Sequence, residues 1–168
     1  MRVAVVAGPD PGHSFPAIAL CRLFSAAGDT PTLLTGTEWL DTARAAGVDA
    51  VELAGLDPAA EDDDRDAGAK IHRRAARMAV LNLPQLRELA PDLVVEIASP
   101  TQYRPDLADK ARLWLDRGVH LVWVVWPERR ELDIWTSGVT EPRTLIDDDA
   151  LEGGDVIPGF RATLSQLW

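Results

Sequence analysis

Glu96 and Lys110 are the residues of this chain whose types and spacing best suit chemistry. Glu96 lies in the apolar run Leu93-Val94-Val95-Glu96-Ile97. An acid buried on such a strand needs a partner, so a catalytic role and a structural ion pair are both open. Lys110 follows in a helical stretch, four residues after Asp106, a spacing that also suits the ordinary acid-first helix pair. Asp92 shares a strand face with Glu96. Four residues at about 3.3 Å each put the two backbones roughly 13 Å apart, so the pair cannot comfortably chelate one ion together, which leaves Asp92 a secondary metal candidate.

His13 sits in Gly8-Pro9-Asp10-Pro11-Gly12-His13-Ser14-Phe15-Pro16, a strand-to-helix turn. Such turns lie at the C-terminal edge of an α/β sheet, where ligands bind, and beside a helix N-terminus. A neutral imidazole there can act as a general base; the alternative is an exposed turn histidine. Trp123, Trp126 and Trp135 can stack on bases or pack a hairpin.

The elements that must position these residues alternate. Continuous apolar runs at Val3–Ala7, Thr32–Thr35, Ala50–Leu53, Leu93–Ala98 and Leu121–Val125 suit buried parallel strands. Helical spacing covers Phe15–Ala27, Glu38–Ala46, Ala67–Leu83 and Pro105–Arg117, with Gly28, Gly47 and Gly118 after three of them. Pro84 breaks or kinks the third, and a short helix to Leu89 follows. Pro127–Arg130 reads as a hairpin loop leading into Leu132–Trp135. The fold class is therefore α/β: a mostly parallel, Rossmann-like sheet with helices on both faces, closed by a C-terminal antiparallel hairpin. Residues 1–168 read as one continuous domain.

The chain has 168 residues, a formal charge of −10 and 46% hydrophobic content. That charge opposes broad binding to a phosphate backbone but leaves room for a small basic groove. Lys70, Arg73, Arg74 and Arg77 form the best local basic cluster, which also suits a solvated helix face. The run Glu61–Asp66 lacks the turn glycine of a calcium loop. No apolar stretch is long enough to span a membrane. The one cysteine, Cys21, excludes an internal disulfide and makes a reducing, cytoplasmic setting the default.

Two resemblances meet near Pro91-Asp92-Leu93-Val94-Val95. Residues 1 to about 95 are similar to the N-terminal, acceptor-binding half of GT-B glycosyltransferases. The likeness rests on Gly12-His13-Ser14-Phe15-Pro16, Ala26-Ala27-Gly28-Asp29, Leu33-Leu34-Thr35-Gly36 and Gly47-Val48-Asp49-Ala50-Val51. It implies that His13 deprotonates a hydroxyl of a hydrophobic acceptor, with the nucleotide-sugar domain absent.

Residues 91–168 resemble the C-terminal part of the Uma2 family, which has the PD-(D/E)XK restriction-enzyme-like fold. Here the likeness rests on Pro91–Pro100, on Arg104-Pro105-Asp106-Leu107-Ala108-Asp109-Lys110, on Trp114-Leu115, on the Leu121–Arg130 hairpin and on Gly154–Phe160. It implies DNA as substrate and Mg²⁺ as cofactor, with Glu96 the metal carboxylate and Lys110 the cation. A second metal carboxylate must then come from a neighbouring strand, and Glu52 is the candidate. The expected function is metal-dependent phosphodiester hydrolysis of DNA. The alternatives are an acceptor-binding glycosyltransferase fragment and an inactive chimeric scaffold.

Overall fold

Runs of valine and leucine with no polar alternation form the centre of the computed structural model, which describes residues 1–55, 81, 82, 84–100 and 102–168. Most of the expected 67–83 helix, the basic cluster of Lys70, Arg73, Arg74 and Arg77, and the acidic run Glu61–Asp66 lie outside the described residues. Among the described residues a seven-stranded sheet is built from β1 (Arg2–Val6), β2 (Thr30–Thr35), β3 (Asp49–Glu52), β4 (Leu93–Ile97), β5 (Leu121–Trp126), β6 (Glu131–Thr136) and β7 (Arg143–Ile146). Its order is β3-β2-β1-β4-β5-β6-β7. The first five strands are parallel, and β6 and β7 are antiparallel. A separate antiparallel hairpin, β8 (Ala150–Gly153) with β9 (Ile157–Thr163), follows. The strand order reverses between β1 and β4, the switch point at which open α/β sheets bind ligands.

Helices cover both faces. On one, α1 (Pro11–Ala26) and α2 (Leu40–Ala45) bury Leu20, Phe24 and Ala43 against Val3, Val5, Leu93 and Val95. On the other, helical residues 81, 82 and 84–89 (α3) and α4 (Arg104–Asp116) bury Leu86, Leu107 and Ala111 against Val6, Val94, Val122 and Val124. Each parallel strand therefore has apolar side chains pointing both ways, as a doubly covered sheet requires.

Two boundaries differ from expectation. The first helix starts at Pro11, not Phe15, because proline fits the first turn, where no intrahelical N–H bond is lost. His13 is consequently not an exposed turn residue. It is 3% exposed, inside the first turn of α1. The second helix begins as a 3₁₀ turn, Thr37–Trp39.

Three aromatic rings close the α1 face. Trp123 stacks on Phe24 with centroids 5.6 Å apart, and Phe160 lies 4.7 Å from Phe24 and 5.7 Å from Trp123. The β8–β9 hairpin and the terminal Leu164 and Leu167 thus join the core of the main sheet. Phe24→Ala is expected to cost about 3–5 kcal/mol in urea unfolding, since this ring is fully buried between Trp123 and Phe160. Burial pushes the Cys21 thiol up to about 12. Cys21 is therefore expected to ignore a thiol reagent in the folded protein and to react once urea unfolds it.

Candidate functional site

The register of the central strands sets one row of residues across the α4 face. Val6 pairs with Glu96, Glu96 with Val124, Val124 with Asp133 and Asp133 with Thr144. Two acids thus point from the same side of the sheet, two strands or about 10 Å apart. They are 4% and 3% exposed. A lone ionised carboxylate in such a place is strongly disfavoured, so each must be neutralised and hydrogen-bonded.

Helix α4 meets this demand at Glu96. Lys110 Nζ donates to Glu96 Oε2 at 2.8 Å, and Trp114 Nε1 donates to Oε1 at 2.8 Å. Lys110 and Trp114 are four residues apart and so share a helix face. Asp106 has no ion pair among the described residues; the lysine turns inward to Glu96 instead. An ion pair gains more strength beside a desolvated carboxylate than beside one in water.

Asp133 is held more completely. Arg104 Nη1 lies 2.9 Å from Oδ1 and 2.7 Å from Oδ2, Trp126 Nε1 donates to Oδ2 at 2.8 Å, and Thr144 Oγ1 donates to Oδ1 at 2.6 Å. Arg104 Nη2 also pairs with Glu131. The guanidinium lies 5.0 Å from the Trp126 ring centroid, and Arg112 stands 5.0 Å from that of Trp135. Trp126 and Trp135 therefore carry guanidinium groups over their rings, and Trp123 is sealed in the opposite face.

Sequence reasoning passed over Asp133 and named Trp114 only within a motif of the Uma2 likeness, with no role of its own. A usable signal existed for the first. In Glu131-Leu132-Asp133-Ile134-Trp135 the acid shares a strand face with Trp135, so a buried acid was readable by the alternation that exposed Glu96.

The other expected site residues stand apart. Asp92 lies at the opposite end of β4, where Oδ2 accepts the Arg2 backbone N–H at 3.1 Å. Glu52 ends β3, three strands from β4, and is exposed. Its neighbour Val51 pairs with Leu34, in the same row and on the same face as Glu96, so Glu52 faces the other way.

These positions bear on the divalent ion that the resemblance implies. Both Glu96 oxygens already accept hydrogen bonds, and no group of three or more His, Cys, Asp or Glu side chains among the described residues could hold an ion. Magnesium needs several oxygen ligands around it. The described residues therefore do not fit a resident Mg²⁺.

His13 stands at the sheet's C-terminal edge, on the α1 side. Its Nδ1 is buried without a hydrogen-bond partner, 3.3 Å from Asp10 Oδ2 but outside bonding geometry. Beside it Phe15, 60% exposed, meets Trp39 edge-to-face at 5.2 Å.

Comparison with known proteins finds both kinds of likeness. The Uma2 family model, described as "Putative restriction endonuclease", matches residues 72–165, more than half of the chain. The match begins ahead of Pro91, upstream of where the motifs placed the change of resemblance. No curated protein matches. A solved "putative nuclease belonging to DUF820" from Anabaena variabilis overlaps with 18% identity and a TM-score of 0.42, covering 46% of this chain and 43% of its own. The glycosyltransferase SsfS6 of Streptomyces sp. SF2575, complexed with thymidine diphosphate, overlaps with 24% identity and a TM-score of 0.48, covering 58% and 32%. SnogD from Streptomyces nogalater gives 25%, 0.47, 58% and 27%. The chain spans less than half the length of each, and these partial overlaps assign no activity.

The unequal burial of the acids predicts unequal mutational costs. Asp133→Ala leaves Arg104 with Glu131 alone and leaves the Trp126 and Thr144 donors without an acceptor, and is expected to cost about 2–3 kcal/mol in denaturant unfolding. Glu131→Ala removes a partner at the rim and is expected to cost about 0–1 kcal/mol. Equal losses would contradict the assignment of Asp133 as the principal partner of Arg104.

Proposed function

We infer that this chain, which belongs to the Uma2 family, is a restriction-endonuclease-like hydrolase acting on DNA phosphodiesters, with Glu96 and Lys110 as its working pair. The observation that carries this reading is the 2.8 Å contact between them. Glu96 is sealed and Lys110 is not: their side chains are 5% and 39% exposed. Glu96 can orient the ammonium but cannot itself reach a substrate. Lys110 keeps donors beyond the one it gives Glu96 and can offset charge on a phosphoryl oxygen. Trp114 holds the other carboxylate oxygen and so fixes the direction from which Lys110 is gripped. Because the described residues do not fit a resident divalent ion, no step is routed through one. Dependence on Mg²⁺ or Mn²⁺ is an expectation that the assay reads directly.

A second reading is favoured by the arrangement at His13. A buried imidazole beside Asp10, next to the exposed Phe15 and the half-buried Trp39, suits an apolar, hydroxylated acceptor of the glycosyltransferase type. Saturation-transfer NMR with a panel of hydrophobic alcohols checks it; no hit among them counts against this reading.

The first reading predicts cleavage of plasmid DNA in Mg²⁺ or Mn²⁺ that falls by about 10²-fold or more in Lys110→Met and in Glu96→Ala. Circular dichroism of both variants checks that they fold. A parent protein that cuts with no divalent ion supplied would remove the metal dependence. A folded Glu96→Ala that cuts like the parent would remove the reading itself.

A further inference from the structure

Beyond Glu96 the α4 face of the sheet continues into a pocket. The next same-face residues on β4 and β5, after Glu96 and Val124, are Ala98 and Trp126, about 6.6 Å further along the strands. With Gln102, Glu128 and Arg129 they line a cavity of about 210 Å³. It opens where the parallel strands end, beside the switch point between β1 and β4.

The charges around it are not balanced as they are elsewhere on this face. Arg104 is neutralised by Asp133 and Glu131, Lys110 by Glu96 and Arg112 by Asp109. Arg129 has no carboxylate partner and no hydrogen bond among the described residues; its guanidinium is held 5.6 Å from the Trp126 ring centroid. Stacking on an indole orients the fork without consuming its N–H groups.

Gln102 adds a neutral donor. Its Oε1 accepts the Ser99 N–H at 2.8 Å, which fixes the carboxamide and leaves Nε2 without a partner among the described residues. A guanidinium fork and an amide N–H₂ converging on one open pocket are donors without acceptors, the complement of an oxyanion. Glu128, also exposed and without an ion-pair partner among the described residues, lines the same pocket. Its carboxylate opposes a doubly charged guest more than a singly charged one.

We propose that this pocket is a phosphodiester subsite, in which Arg129 and Gln102 Nε2 hold the non-bridging oxygens and Glu128 selects the singly charged diester over a phosphate monoester. The assignment rests on the reading that the chain acts on DNA, and it places a backbone phosphate one strand step from the Glu96–Lys110 pair. Arg129 then grips the nucleic acid away from the bond being cut and takes no part in the chemical step.

The experiment titrates the full chain with the dinucleotide TpT and, separately, with inorganic phosphate, following backbone amide shifts of Ser99, Gln102 and Arg129 by NMR. TpT is expected to shift these amides and to bind more tightly than inorganic phosphate at neutral pH. Arg129→Gln is expected to weaken TpT binding about tenfold, the loss of one charge-assisted contact. Glu128→Gln is expected to strengthen binding of inorganic phosphate, a gain that mere damage to the fold would not produce. In cleavage assays Arg129→Gln is expected to raise KM with kcat unchanged. The proposal is overturned if TpT shifts none of these amides, if Arg129→Gln binds it as the parent does, or if Glu128→Gln weakens phosphate. The titrations need no cleavage, so a failure of the nuclease reading and a failure of the subsite are separate results.

Discussion

Two carboxylates buried in one row of a sheet impose the strongest constraint on this molecule. Glu96 and Asp133 project from the same face with only Val124 between them. Neither can stay ionised there without cations and N–H donors brought from outside the sheet. Arg104 and Lys110, both on α4, supply the cations. Six residues of helix advance about 9 Å, close to the spacing of strands two apart, so one helix can serve both acids. The apolar contacts of Leu107 and Ala111 press α4 onto the sheet, and the two ion pairs fix where along the sheet it rests. A hydrophobic face alone is non-directional and would tolerate sliding.

The same constraint decides what chemistry the face can offer. A carboxylate that satisfies a lysine and an indole is poorly placed to hold a metal ion as well. It is well placed to hold a lysine still. The sheet's C-terminal edge, by contrast, has donors to spare in Arg129 and Gln102, above β4 and β5. The acids inside the α4 face are paired, whereas Arg129 at its edge has no carboxylate partner among the described residues.

Strand β4 is placed between two parallel neighbours. β4 pairs with β1 through Val3↔Leu93 to Val6↔Glu96, and with β5 through Leu93↔Leu121 to Ile97↔Val125. A Pro-Asp-Leu-Val-Val strand buried on both faces asks only for apolar neighbours and parallel partners. The uncapped start of α1 shows the limit of local reading: Asp10 makes no side-chain cap, yet the helix runs back to Pro11 and carries His13 indoors.

Alternation of apolar runs and helical spacings was enough to determine the α/β class, the central parallel strands and the burial of Glu96, because these follow from local periodicity and the cost of exposing apolar surface. The need for a partner to Glu96 was equally legible, since a buried charge cannot stand alone. Which partner it takes was decided only by tertiary structure. Lys110 had Asp106 one helical turn away and chose an acid fourteen residues distant, because strand β4 and helix α4 come together face to face. The row that joins Glu96 to Asp133, and the exclusion of Glu52 and Asp92 from it, depend on register and pleat across strands far apart in the chain. No spacing within one segment carries that information.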